Sequence, residues 1–341
     1  MKWKQYLLPL LLVILITGLL FQKQLSTHLK IILFISEQFP QIPVKPLGLL
    51  TPNPEHNRVE FETSNGKVVA DLFIPRSNNT KSALIVAMGI KTAEDDKPLI
   101  LHFADSLARL GYVVFWPRLQ ALDQGQALPE EPETFIKAFE YLEKEASVNS
   151  DRISYMGFSV GSSTAYVAAS DPEISDQVHG LVFFGGHFDV FEYLSNLASK
   201  TYQANGQRVE WNVSDDARNH AKALLEAKQA NQMVKIFDAT SSAEVEKVLD
   251  LVPKQEVNAL EKYSPKEKLN QFKASIFILH DKSDTYVPYV ESVKLYQALP
   301  KEQLGAYHIS DLFEHVQPNR SIKLEELVKL YGFLYKVLNF L

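Results

Sequence analysis

Ile153-Ser154-Tyr155-Met156-Gly157-Phe158-Ser159-Val160-Gly161, followed by the small-residue run from Ser162 to Ala169, is the stretch that decides the fold. An apolar run, a serine between two glycines and a segment of small residues read as strand, sharp turn and helix. A serine at the tip of such a turn occupies a strained backbone position, and glycines two residues to either side let neighbouring backbone approach without a Cβ clash. The turn exposes the hydroxyl, and the helix behind it offers free N–H groups to a developing negative charge. Read alone, the pentapeptide also fits a tight turn with no chemistry.

A serine is a weak nucleophile at its own pKa, so chemistry here requires a histidine base and a carboxylate to orient it. Two later strand-like runs end in such residues. Ser275-Ile276-Phe277-Ile278-Leu279-His280 leads into Asp281-Lys282-Ser283-Asp284-Thr285-Tyr286-Val287-Pro288, and Gly305-Ala306-Tyr307-His308-Ile309 leads into Ser310-Asp311-Leu312-Phe313-Glu314-His315. The turn around Ser159 with these two segments resembles the α/β-hydrolase superfamily, and in particular its esterase-like serine hydrolases with a helical lid. In that superfamily the nucleophile, acid and base follow in the order Ser, Asp or Glu, His. The segment after the first of these strands is similar to the superfamily's H-G-x-x-D-x-x-V-P pattern, whose second acidic position is the triad acid.

The resemblance implies Ser159 as nucleophile, Asp284 as acid and His315 as base. Asp281 stands where the superfamily usually has Gly and is a weaker candidate for the acid. His308 is the rival base, but it lies inside its strand rather than after it. The oxyanion donors implied are the N–H groups of Val160 and of Ile90, the latter in the loop Met88-Gly89-Ile90-Lys91 after the strand Ala83 to Ala87. Many relatives have His-Gly where this chain has Met-Gly, a change that removes a side chain but no backbone donor. Such a site needs no metal or cofactor, and no metal-ligand spacing such as H-E-x-x-H occurs.

The 341 residues are 46% hydrophobic and 22% charged, enough to supply a large core. A net charge of −6 argues against a nucleic-acid partner, because phosphate binding needs a basic surface. The absence of cysteine excludes disulfides, thiolate nucleophiles and a cysteine at the sharp turn, as dienelactone hydrolases have.

Met1-Lys2-Trp3-Lys4 precedes an uncharged apolar run from Tyr6 to Phe21. Its sixteen residues would span about 24 Å as a helix, a little short of a bilayer core of about 30 Å. Residues 1–23 are read as an uncleaved transmembrane signal-anchor, with a cleaved signal peptide and a buried soluble helix as alternatives. Lys2 and Lys4 would keep the terminus cytoplasmic and leave the catalytic domain outside. Residues 24–55 form a Pro-rich connector, in which His28 to Ile35 is apolar enough to lie on a membrane interface or to pack on the domain.

From residue 56 onward, a hairpin across Ser64-Asn65-Gly66 precedes alternating strand-like and helix-like segments. This order predicts a mostly parallel sheet with helices on both faces and reactive groups at the strands' carboxyl ends. The alternation stops at Gly185-Gly186-His187, and residues from about 188 to 265 read as a helical lid without a strong strand. Phe188, Phe191, Tyr193 and Trp211 are candidates to line a pocket beneath it, or to form its core. Ile322 to Leu341 reads as a final helix.

The expected function is a membrane-anchored serine hydrolase cleaving a small ester-like substrate, a carboxylic ester or thioester. A serine peptidase or acyltransferase on the same three residues is an alternative. So is an inactive hydrolase fold that acts as a membrane-tethered binding module.

Overall fold

The computed structural model describes residues 22–89, 97–119, 132–227, 229–239, 241–318 and 320–341. The apolar run at the amino terminus and Ile90 lie outside the described residues.

The chain enters through helix α1 (Gln22–Gln38), which ends just before Pro40, and then forms the hairpin β1 (Glu55–Thr63) and β2 (Gly66–Ile74). Next come β3 (Lys81–Ala87), α2 (Lys97–Arg109), β4 (Val113–Arg118), α3 (Pro132–Glu143), β5 (Val148–Phe158), α4 (Val160–Ala169) and β6 (Gly180–Phe184). The insertion that follows contains α5 (Val190–Ser199), a small hairpin β7 (Thr201–Ala204) and β8 (Gln207–Glu210), α6 (Asp215–Ala227), α7 (Ser242–Leu249) and α8 (Lys254–Glu261). The body resumes with β9 (Ser275–Asp281), α9 (Val290–Ala298), β10 (Leu304–Ser310) and α10 (Leu324–Phe340).

Eight strands form one sheet in the order β1-β2-β4-β3-β5-β6-β9-β10. The β1–β2 and β2–β4 pairs are antiparallel, and every other pair is parallel. This is the α/β-hydrolase fold expected from the sequence. The central strands read as unbroken apolar runs because they are covered on both faces. Successive residues alternate between two cores: Ala83, Ile85, Phe115, Ile153, Tyr155, Leu181, Phe183 and Ile278 face α3 and α4, whereas Leu84, Val86, Val114, Met156, Val182, Phe184 and Leu279 face α1, α2 and α10.

Helix α1 belongs to the second of these cores. Ile31, Leu33 and Ile35 are buried there, His28 stacks on Tyr331 and Tyr335 of α10, and Gln41 donates to the carbonyls of Pro318 and Arg320. Much of the segment read as a connector therefore packs on the domain. Among the described residues, no helix is long and apolar enough to cross a membrane.

The insertion has a core of its own, built from Val190, Tyr193, Leu194, Leu197, Trp211, Ala221, Leu225 and Met233. Within the stretch read as helical without a strong strand it includes the β7–β8 hairpin of two four-residue strands, whose turn Asn205-Gly206 holds both residues at positive φ. Asn-Gly is the same turn signal that marks the β1–β2 hairpin. The four-residue strands β7 and β8 leave almost no alternation in the sequence.

Candidate active site

Ser159 follows β5 directly and precedes α4, with φ 55° and ψ −140°, a conformation that L-residues rarely adopt. The turn is possible because its glycines touch backbone. A Cβ on Gly157 would lie 2.4 Å from Cα of Ser162, and one on Gly161 would lie 2.4 Å from the carbonyl oxygen of Met88. Small residues let α4 sit tightly on the sheet, where Gly161 to Ala169 are all buried. Their hydroxyls are satisfied locally: Ser162 Oγ donates to the Phe184 carbonyl and accepts from its N–H, and Ser163 Oγ donates to the His187 carbonyl.

Strand β6 links the serine to the other two candidates. The Ser159 N–H donates to the Phe184 carbonyl at 2.8 Å, and the next residue, Gly185, has its Cβ position 3.6 Å from Asp284 Oδ2 and 3.8 Å from His315 Cε1. Asp284 and His315 meet directly, with His315 Nδ1 2.7 Å from Asp284 Oδ2. The other carboxylate oxygen, Oδ1, accepts from the N–H groups of Tyr286 (2.7 Å) and Val287 (3.0 Å). Burial alone would push the Asp284 carboxyl up. The positive charge available on His315, together with hydrogen bonds from His280 and His315, outweighs burial and holds it well below the usual carboxylate range. An ionised Asp284 accepts from Nδ1–H, which leaves Nε2 of His315 as the basic nitrogen.

His315 is also at positive φ, 56°, and its ring stacks on Tyr286 at 4.7 Å. Of the five non-glycine residues with positive φ among the described residues, Ser159 and His315 are the two outside the insertion. Each such conformation costs about 1–3 kcal/mol, and surrounding contacts must hold it in place.

The rival candidates do other work. Asp281, buried, accepts from the N–H groups of Ser283 and Phe313, and so ties the end of β9 to the loop that carries His315. His308 faces α10, 4.0 Å from Glu326 and tilted against Phe333, away from Asp284. His280 is the residue whose part sequence reasoning missed. Fully buried, it lies 3.0 Å from the Val287 carbonyl and 3.4 Å from Asp284 Oδ2 through Nε2, while Nδ1 meets Ser292 Oγ at 2.6 Å. Two acceptors at Nε2 fix the proton there, so the ring meets the same carboxylate oxygen, Oδ2, that faces His315. Its place at the head of the His280-to-Pro288 segment was the available signal.

Val160 opens α4, where the first-turn N–H groups have no intrahelical partner. Gly89 passes close to the serine: a Cβ there would lie 2.7 Å from Ser159 Cβ and 3.0 Å from its Oγ. The backbone of the Met88-Gly89 loop thus runs beside the hydroxyl, and the second donor read from the sequence, Ile90, lies outside the described residues. No three His, Asp or Glu side chains among the described residues are grouped to hold a metal ion.

Ser159, Val160, Gly89 and His315 open into one cavity of about 700 Å³. Of the four aromatic residues considered for its lining, Tyr193 alone reaches it. Phe188 packs in the body core, and Phe191 and Trp211 pack in the core of the insertion. Trp211 nevertheless bears on the site, because its indole N–H donates to the Asp284 carbonyl at 2.7 Å. A second tie, from the Ser214 N–H to the Thr285 carbonyl, fastens the insertion to the acid loop.

Solved structures similar to this one include the esterase domain of a Rhodothermus marinus protein, at 15% identity and a TM-score of 0.51, covering 84% of this chain and 96% of that one. An esterase of Pyrococcus furiosus is similar at 17% identity and a TM-score of 0.50, with 85% and 94% covered. An acylaminoacyl peptidase of Pyrococcus horikoshii aligns at 14% identity and a TM-score of 0.55, with 87% of this chain and only 43% of the peptidase covered. Likeness at such identities establishes the fold alone. No curated protein sequence matches the chain. The BD-FAE family model, however, matches residues 70–299, two thirds of the length and the span that carries Ser159 and Asp284. The chain therefore belongs to the BD-FAE family of esterase-like hydrolases.

Proposed function

We propose that this protein is a serine hydrolase that cleaves a carboxylic ester or thioester through an acyl-enzyme on Ser159. The observation that carries the reading is the Asp284–His315 pair, joined at 2.7 Å and reached through β6 from a serine held at φ 55°. His315 Nε2 takes the proton of Ser159 as Oγ attacks the carbonyl carbon, while Asp284 holds the imidazole in the required tautomer and stabilises its cation. The oxyanion that forms is bound by the N–H of Val160 and by that of Ile90. His315 then returns the proton to the leaving alcohol or thiol. Water, deprotonated by the same nitrogen, attacks the acyl-enzyme and releases the acid.

Hydrolysis of esters by wild type and Ser159→Ala in parallel tests the reading. Turnover by the wild type, lost in the variant, is expected. Equal turnover by both proteins would refute it. Peptide and acyl-acceptor substrates in the same panel separate hydrolysis of esters from peptide cleavage and acyl transfer.

The amino-terminal run supports a second element of the proposal, that residues 1–23 anchor the protein in a membrane with the catalytic domain on the extracytoplasmic side. Lys2 and Lys4 ahead of sixteen uncharged residues are the basis. Protease added to intact cells should digest the domain. Protection until the cells are lysed would contradict the orientation.

A further inference from the structure

The cavity beside Ser159 is far larger than a short acyl group requires. From the serine it runs along the sheet face that carries Phe158 and Phe184, a register pair, and continues past the next pair on that face, Met156 and Val182, about 6.6 Å further down the strands. Its opposite wall is α10 from Leu330 to Leu338, about 12 Å of helix. Phe34 and Ile35 of α1 close it from a third side. A cavity of about 150 Å³ accommodates benzene, so about 700 Å³ leaves room for a chain on the order of ten to twenty carbons. The wall also contains the largely buried Glu37 of α1, whose carboxylate lies 3.3 Å from the half-exposed His102.

The helix that closes the cavity is apolar on its outer side as well. Leu25, Leu29 and Ile32, at helical spacing, are 67%, 53% and 57% exposed, and α1 follows directly on the uncharged run of Tyr6 to Phe21. A stripe of this kind suits the acyl boundary of a lipid surface. Resting on the proposal of Ser159 as nucleophile, we infer that the substrate is a long-chain acyl ester whose hydrocarbon lies in this cavity between the sheet, α1 and α10. The carbonyl sits at Ser159 and the leaving group at the rim. Water attacks the acyl-enzyme and the products are a long-chain carboxylic acid and an alcohol.

The full chain, assayed on p-nitrophenyl esters from acetyl to palmitoyl, tests this. Each methylene buried should raise kcat/KM about threefold to fourfold until the cavity is filled, so that decanoyl exceeds acetyl on the order of 10⁴-fold. Val182→Phe, which adds bulk midway along the cavity, should lower the decanoyl-to-acetyl ratio at least about tenfold. Leu334→Trp, from the α10 wall, should do the same and serves if Val182→Phe does not fold. Hydrolysis that is equal for all lengths, or highest for acetyl and unaltered in ratio by both variants, would overturn the inference while leaving the serine hydrolase standing. A binding assay separates the two claims: Ser159→Ala should bind cis-parinaric acid, and palmitate but not acetate should displace it. Binding without hydrolysis of any ester by the wild type would overturn the hydrolase reading and retain the chain site, whereas no binding would overturn the chain site. Dioleoyl phosphatidylcholine vesicles and dispersed palmitoyl ester, compared as substrates, distinguish a membrane lipid from a dispersed ester as the source.

Discussion

The two faces of the central sheet are made from the same strands, yet they are filled differently. On one, Phe135, Phe139, Tyr155, Tyr166 and Phe272 are almost wholly buried and ring packs against ring, as with Tyr166 on Phe272 at 4.3 Å. On the other, α1, α2 and α10 bury Leu84, Leu107 and Leu330 but leave a cavity of about 700 Å³ that opens at Ser159. Interiors are normally packed to the density of organic crystals, so unfilled apolar volume reduces dispersion contacts and stability. Each face buries a core of its own. The second leaves space beside the Ser159 hydroxyl, where a bound molecule would replace the missing contacts.

The comparison breaks first at the serine. Ser159→Ala should lower kcat at least about 10⁴-fold without moving the urea midpoint downward, since the hydroxyl supports chemistry rather than either core. Asp284→Asn should lower kcat by about 10³–10⁴-fold, because an amide no longer selects the His315 tautomer with Nε2 free. For the closed face, Phe139→Ala should destabilise by about 3–5 kcal/mol in urea titrations. Leu334→Ala, at the edge of existing space, should cost no more than about 2 kcal/mol. Similar losses at both positions would show that the faces are equally well packed.

A pH-dependent effect concerns Glu291 of α9, on the closed side. Its carboxyl accepts from the N–H groups of Phe188 and Asp189 at the root of the insertion, and burial pushes it up to about 7, against a weaker opposing pull from Lys294. A carboxyl whose pKa is higher folded than unfolded binds its proton more tightly in the native state. Its contribution to stability is therefore complete below the unfolded value of 4.5 and is lost as pH rises to about 7. Glu291→Gln should remove that part of the slope, seen as a smaller fall in urea midpoint between about pH 5 and about pH 8 than wild type shows. An unchanged slope would mean that the group titrates alike in both states.

Much of the fold is legible in the sequence because its signals are local. Asn65-Gly66 announces the first hairpin, apolar runs announce the buried parallel strands, and Gly157 and Gly161 announce the turn at Ser159. The grouping of Asp284 with His315 was equally legible, since each follows a strand at the same edge of the sheet. What escaped were features made by contacts between distant segments. The hydrogen bond of His280 to Asp284 and the indole of Trp211 on the Asp284 carbonyl leave no periodicity in the chain. Phe191 packs in the core of the insertion, one of the two readings open to it, whereas Phe188 turns into the body core, which its place just after the strand does not reveal.

The most direct test of the account is labelling of the full chain with an active-site fluorophosphonate, followed by mass mapping of the adduct. The account predicts one adduct on the peptide containing Ser159, absent from Ser159→Ala and strongly slowed in Asp284→Asn. No adduct on wild type, or the same adduct yield on Ser159→Ala, would contradict it.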